Sequence, residues 1–172
     1  MKRQAVFQNA QAGFTLVELI VSLAIGSVLM VALTSVVFTA WRATGIASSR
    51  VEASGQVQSF EFFAFKDFAQ STTPTAGSCV PASPCSQPLV ISGVQVSNRN
   101  PTPSPIQVTY TWDRSNFLDR SVAPGSTLHA ATNVTAFSWY VDTNSTVVVS
   151  LTVTVRSYSE SQTFRFFPRM NP

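Results

Sequence analysis

The chain has 172 residues, 45% of them hydrophobic and 11% charged, with a formal net charge of +3. Eleven bases against eight acids exclude a polycationic nucleic-acid footprint, and two cysteines with a single histidine leave too few ligands for an ordinary zinc site. No glycine-rich phosphate loop, serine elbow or metal-ligand spacing occurs, and the acids Asp113, Asp119, Asp142 and Glu160 are scattered without a nearby histidine to help them, so no enzyme activity and no cofactor or metal is expected.

Residues 1–13, MKRQAVFQNAQAG, are short and basic at Lys2 and Arg3. They precede an apolar run from Phe14 to Ala40 whose one charged residue is Glu18. A helix of that length reaches about 40 Å, enough to cross a hydrocarbon core of about 30 Å. The run is longer than the core of an ordinary secretory signal and no Ala-x-Ala site follows it, so the small residue that suits processing is Gly13, ahead of the run. A carboxylate in such a helix costs roughly 2.5 to 3.5 kcal/mol even on lenient insertion scales, which points to a partner for Glu18. Snorkelling to the membrane interface is the plainer account, since Glu18 lies near the end of the run.

GFTLVELIV, from Gly13 onward, resembles the processing site of type IV prepilins and pseudopilins. The resemblance implies that 1–13 is a leader peptide cut after Gly13 by a prepilin peptidase, which also methylates the new amino terminus at Phe14. It implies that Glu18 pairs with the amino-terminal ammonium of a neighbouring subunit. Leaving either charge alone in apolar surroundings would cost several kcal/mol, so the pairing would set register. It further implies membrane storage in lipid, an inner-membrane assembly platform, and a major pilin with other minor pilins as partners. The location implied is the bacterial inner membrane, single-pass with the head outside the cytoplasm, and then a periplasmic or cell-surface filament.

The expected organisation is 14–41 as transmembrane and filament-core helix, 42–69 as an amphipathic half, and 70–172 as a β-rich head. All ten prolines lie at position 74 or later, so proline chemistry allows one helix from Phe14 to Phe68, about 80 Å long. Gly45 and Gly55 predict bending or melting nearby. Trp41 and Arg42 read as an interfacial anchor. Ile46, Ala53, Val57, Phe60, Ala64 and Phe68 share one sector at 100° per residue, with Glu52, Ser59 and Lys66 opposite. Phe62, Phe63 and Phe65 widen this apolar face, which predicts cover by a sheet and by neighbouring subunits.

Residues 70–88 are rich in Ser, Thr, Pro and Gly and read as a surface loop containing Cys79 and Cys85. Outside the cytoplasm these two would pair and close a small ring. Strands are predicted at Leu89–Val96, Ile106–Trp112, Val134–Val141, Thr146–Val155 and Thr163–Phe167, where Val, Ile, Thr and aromatics alternate with polar residues as in an antiparallel sheet with one solvated side. Ser97 to Pro105 reads as a proline-stiffened loop, and Asp142, Thr143 and Asn144 as a hairpin turn. The fold class is therefore α+β and pilin-like, a long amino-terminal helix packed on an antiparallel sheet.

FEFFAFKDFAQ, VTYTWDRSNFLDRSV, NVTAFSWYVD and FRFFPRMNP resemble the heads of J-type minor pseudopilins and W-type minor pilins, in which the helix ends near a basic–acidic pair, here Lys66 and Asp67, and a later strand bears an arginine, here Arg120. The reading is a minor pilin or pseudopilin of a type IV pilus, a type II secretion pseudopilus or a competence filament. DNA contact by a competence pilin is the first alternative, with Arg114, Arg120, Arg156, Arg165 and Arg169 as a patch beside Trp112 or Tyr158. It gains little from charge, since removal of Lys2 and Arg3 leaves nine bases against eight acids. The second alternative is an anchored binding or adhesin module that never polymerises.

Overall fold

The computed structural model describes residues 14–74, 79–86, 88–97 and 100–168. Its first element is a single α-helix, α1, Leu16–Ala69. Thr15 caps it: the Glu18 amide donates to Thr15 Oγ1 at 3.3 Å, the pattern in which a hydroxyl before the helix satisfies an amide of its first turn. Eight strands follow: β1 Ser71–Pro74, β2 Leu89–Ser97, β3 Asn100–Trp112, β4 Leu118–Ala123, β5 Thr127–Ala131, β6 Val134–Val141, β7 Val147–Val155 and β8 Tyr158–Phe166. They form two antiparallel sheets, one in the order β1-β2-β3-β4-β5 and one in the order β6-β7-β8. A long helix with antiparallel sheets is the α+β, pilin-like class the sequence predicts. The chain divides into two units between Thr44 and Gly45.

In the first unit every described residue of the helix is exposed and the apolar side chains have no protein around them. The helix is long and apolar enough to cross a membrane. Its hydroxyls are satisfied locally: Ser27, Thr34, Ser35, Thr39 and Thr44 each donate to a carbonyl three or four residues earlier, at 2.7 to 2.8 Å. Such back-bonding lets polar side chains sit in an apolar helix without an unpaired donor.

In the second unit, one face of the helix packs into a core built mostly by the strands. Ala53, Val57, Phe60, Ala64 and Phe68 are buried, as their spacing requires. Phe60 is the hub, touching Tyr110 of β3 and Phe137 of β6 edge to face and Phe164 of β8 at a tilt, so its ring joins both sheets. The alternation holds on β3, with Val108 and Tyr110 inward. It holds on β7 too, where Val149, Leu151 and Val153 point in while Ser150, Thr152 and Thr154 face hydroxyls of β8.

Several expectations are corrected. Ile46 is exposed and outside the core, and of the extra phenylalanines Phe63 is half-buried whereas Phe62 and Phe65 are 70% and 69% exposed. Ile46 lies in the buried sector but precedes Ser49, the first buried residue of the helix, so no sheet covers it, whereas Phe65 and Phe62 lie about 100° and about 160° round the helix from the middle of the stripe and reach solvent. Helical structure persists through Gly45 and Gly55 without melting. The segment Ser97 to Pro105 is largely strand: β2 and β3 pair down to Ser97 with Asn100, and Pro105 stands opposite Val94. Pro101, Pro103 and Pro105 alternate, so all three missing amide donors fall on one side of β3, and β4 pairs with β3 only from Gln107 onward. β1, inside the expected 70–88 loop, and β4 and β5, too short and polar to stand out, complete the larger sheet.

One glycine is sterically obligatory. A Cβ on Gly93 would lie 2.3 Å from the carbonyl oxygen of Gln70, where the chain leaves the helix and crosses β2. The same oxygen accepts from the Val94 amide at 3.2 Å, so the close approach is part of the pairing.

Candidate functional site

Two places concentrate the candidate residues: the start of α1 and the carboxyl end of the same helix in the second unit. At the first, Gly13 lies outside the described residues, as do Lys2 and Arg3. Phe14 is exposed just ahead of α1, and Glu18 sits in the first helical turn, where a carboxylate interacts favourably with the positive end of the helix dipole. A capping hydroxyl at Thr15 followed by an acid at Glu18 is also a capping-box sequence, of which the structure shows the half made by the Glu18 amide and the Thr15 hydroxyl. Trp41 is exposed, and Arg42 lies over the Phe38 ring at 4.5 Å.

At the second place, Asp67 occupies the last turn of α1, where an acid meets the negative end of the dipole and gains nothing from it. It is nevertheless buried, because it falls on the same face as Phe60 and Ala64. Arg120 resolves the conflict. Its Nε donates to Asp67 Oδ2 at 2.7 Å and its Nη2 to Oδ1 at 2.6 Å, a two-pronged pairing with planar specificity. Tyr110 Oη donates to Asp67 Oδ2 at 2.5 Å, and Tyr110 stands opposite Arg120 in the β3–β4 register, which is how one strand pair delivers both partners. Burial pushes the Tyr110 phenol well above its ordinary range, with the Asp67 charge adding to the shift; the hydrogen bond to Asp67 raises the Arg120 guanidinium further. Phe63 covers the guanidinium at 5.6 Å. The cluster fastens the helix end to the larger sheet and offers no exposed reactive atom, so its chemistry is structural. Lys66, its sequence neighbour, is exposed and takes no part.

Other pins hold the helix to both sheets. Ser54 donates to Glu160 of β8 at 2.6 Å, and Gln56 accepts from the Thr132 amide at 2.9 Å. Arg50 lies over the Tyr158 ring at 5.7 Å. Cys79 and Cys85 are joined by a disulfide. The closed loop docks on β6 through two bonds between Cys85 and Trp139 backbones and one from the Val141 amide to the Cys79 carbonyl.

Two of the acids close turns. Asp113 closes the β3–β4 turn, its Oδ1 accepting from the amides of Ser115, Asn116 and Phe117 and its Oδ2 from the Ser115 hydroxyl. These bonds, the Ser115 hydroxyl foremost, hold its carboxyl well below the usual range. Asp142 turns β6 into β7. Asp119 does have a histidine beside it, contrary to expectation: strand pairing sets Asp119 opposite His129, and Oδ1 lies 2.6 Å from Nδ1. The imidazole stacks on Phe117 and makes no other hydrogen bond among the described residues. Among those residues, too, no three His, Cys, Asp or Glu side chains group as metal ligands.

Among the described residues the candidate arginines do not all share one patch. Arg120 is committed to Asp67, and Arg114 lies in the β3–β4 turn. Arg156 lies in the β7–β8 turn while Arg165 lies seven residues along β8 from Tyr158, roughly 23 Å by strand rise. Arg169 lies outside the described residues.

Residues 8–34 match the family described as the prokaryotic N-terminal methylation motif, a type IV prepilin-like signal. No curated protein and no solved structure gives a significant match. The family match covers the Gly13, Phe14 and Glu18 region and does not reach the β-rich part, so the likeness of the head to J-type or W-type subunits gains no support from it. The motif supports a type IV pilin-like or pseudopilin-like protein, a structural class, and implies processing by a prepilin peptidase and assembly with other pilins.

Proposed function

We propose that this chain is a minor pilin or pseudopilin, cut after Gly13, methylated at Phe14 and built into a type IV pilus-like filament in which Glu18 pairs with a neighbour's terminal amine. The methylation motif over 8–34, lying directly on an exposed apolar helix that begins at Leu16, carries this reading. In this proposal 1–13 is the leader, 14–41 the membrane and filament-core helix, 42–69 the amphipathic half and 70–172 the head, held outside the cytoplasm of a bacterial inner membrane before extraction. The finer part of the proposal, a head of the J-type or W-type minor class, rests on the resemblance of the segments around Lys66, Asp67 and Arg120.

Mass spectrometry of the amino-terminal peptide, from sheared filaments and from membranes, tests the reading. An N-methylated chain beginning at Phe14 is the expected species in the filament fraction. A chain that keeps residues 1–13 where the peptidase is active would overturn the proposal. Glu18→Ala separates a filament subunit from a simple anchor, since a subunit loses assembly while still inserting in the membrane. DNA contact is the weaker alternative, because Arg120 is committed to Asp67 and Arg165 lies most of a strand away from Tyr158.

A further inference from the structure

The outward face of α1 in the second unit carries a heptad and charge pattern that goes beyond the general expectation of cover by neighbouring subunits. Opposite the buried stripe, Phe62 and Phe65 stand in solvent and line a shallow trough of about 580 Å³ with Gln58, Glu61, Lys66 and Ala69. Placing Phe62 at heptad position a puts Phe65 at d and Ala69 at the next a. The same frame sets Gln58 at the preceding d, Glu61 at g and Lys66 at e. Apart from Gln70, which follows the helix, the trough is thus lined by the positions that form a seam between two helices. One turn back, Gly55 falls at a, and a Cβ there would meet nothing within 4 Å, so a neighbouring backbone has room to approach. Neither Glu61 nor Lys66 makes an ion pair among the described residues.

We propose that this face binds a second copy of the chain, helix beside helix, parallel and level, with Phe62 and Phe65 interdigitated and Glu61 of each copy paired with Lys66 of the other. The charges decide the orientation. In a parallel pair, g of one helix meets the next e of its neighbour, which joins Glu61 to Lys66 twice. In an antiparallel pair g meets g and e meets e, which sets Glu61 against Glu61 and Lys66 against Lys66, a repulsive arrangement. Membrane anchoring favours the attractive one, because copies held by identical anchors in one bilayer point the same way and carry this face at the same distance in residues from the membrane. Confinement also raises the effective concentration, so a contact centred on two phenylalanines suffices where free chains would need a larger interface. The proposal rests on the membrane-stored reading and concerns the chain before extraction.

Lys66 is the one lysine besides Lys2, which makes the test clean. Equal amounts of unlabelled and nitrogen-15 full chain are placed in lipid bilayers and treated with a carbodiimide, which joins a touching carboxylate and amine as an amide while itself taking up the water. The expected result is a Glu61–Lys66 peptide pair of mixed isotope. Lys66→Glu should remove that product, and Glu61→Lys combined with Lys66→Glu should restore it to several times the yield of either single reversal. Phe62→Ser with Phe65→Ser, both at exposed positions, should lower the wild-type product several-fold. Products confined to one isotope, a link from Lys66 to another acid, or no recovery in the double reversal would each overturn the pair. The Glu18→Ala chain distinguishes this failure from failure of the functional reading. It should keep the mixed product while losing filaments. N-methylated filaments from a wild-type chain without the product would sink the pair alone, whereas the product on a chain that keeps its leader would sink the pilin reading alone.

Discussion

Arg120 grips both carboxylate oxygens of Asp67 across 53 residues of chain, at 2.6 and 2.7 Å, with the Asp67 side chain 2% exposed. The end of α1 is thereby fixed to β4 of the larger sheet. A buried pair of this kind contributes little net stability as a pair, because desolvation offsets most of the attraction, but each member depends strongly on the other. Asp67→Ala should lower stability by about 3 to 5 kcal/mol by stranding Arg120, and Arg120→Ala should do the same to Asp67. Replacing both together, Asp67→Leu with Arg120→Met, should cost less than either single change. Urea unfolding of the detergent-solubilised chain measures all three, and strictly additive losses would show that the residues act independently.

Tyr110 makes the same cluster sensitive to alkali. Its folded pKa lies above the ordinary phenol value of about 10, because burial and the Asp67 charge oppose ionisation. The raised value means that the contribution is fully present below pH 10 and is lost as pH climbs beyond it, when the unfolded phenol ionises and the folded one does not. Tyr110→Phe removes a hydrogen bond to a charged acceptor and should cost about 1.5 to 3 kcal/mol at neutral pH. Above pH 10 its stability should fall less steeply than that of the wild type. Parallel slopes for the two chains would refute the assignment.

Much of this arrangement is legible in residues alone, and the parts that are not have physical reasons. The proline-free stretch announces α1, and the spacing of Ala53, Val57, Phe60, Ala64 and Phe68 names its buried face. Asp67 and Arg120 stand out as a helix-end acid and a strand arginine, but their bond depends on β3–β4 register, which no local pattern encodes. Phe62 and Phe65 defeat a composition-based reading because hydrophobicity says that a ring seeks cover and not whether the cover lies in the same chain. The alternating prolines of β3 look like a loop until it is clear that β2 pairs along that stretch while β4 pairs with β3 from Gln107 onward. The Asp119 and His129 contact was hidden for the same reason as the Asp67 bond, since ten residues separate partners that strand pairing sets face to face. At the start of α1 the methylation motif is a short contiguous run, so its match over 8–34 depends on no tertiary register.

Asp113 carries the acid side of the pH profile. Four hydrogen bonds favour its ionised form and hold its carboxyl below the value of about 4 expected of an unfolded aspartate. A depressed value places the stabilisation above pH 4 and removes it as pH falls through that range. Asp113→Ala should therefore be less stable than the wild type at pH 7, with the gap narrowing on acidification below about pH 4. Arg114, held at φ 63° in the turn this carboxylate organises, should gain mobility. A gap unchanged between pH 7 and pH 2 would assign the loss to packing instead.

The Cys79–Cys85 loop makes a prediction that is local as well as global. Closing so small a ring contributes about 2 kcal/mol in the chain-entropy description, so Cys79→Ser with Cys85→Ser should lower stability by that amount. The location of the loss is more telling. Cys85 exchanges two backbone bonds with Trp139, and the Cys79 carbonyl accepts from Val141, so the two ends of the ring lie along the edge of β6 that β7 does not pair. Unpaired strand edges recruit other chains, and a covering loop is one way to prevent it. Opening the ring frees its ends to leave separately. Hydrogen exchange should then quicken at the Trp139 and Val141 amides while the β7–β8 ladder stays protected, and the variant should associate more readily on dilution from denaturant. Protection lost evenly across all three strands would mean that the ring stabilises the unit as a whole and does not guard its edge.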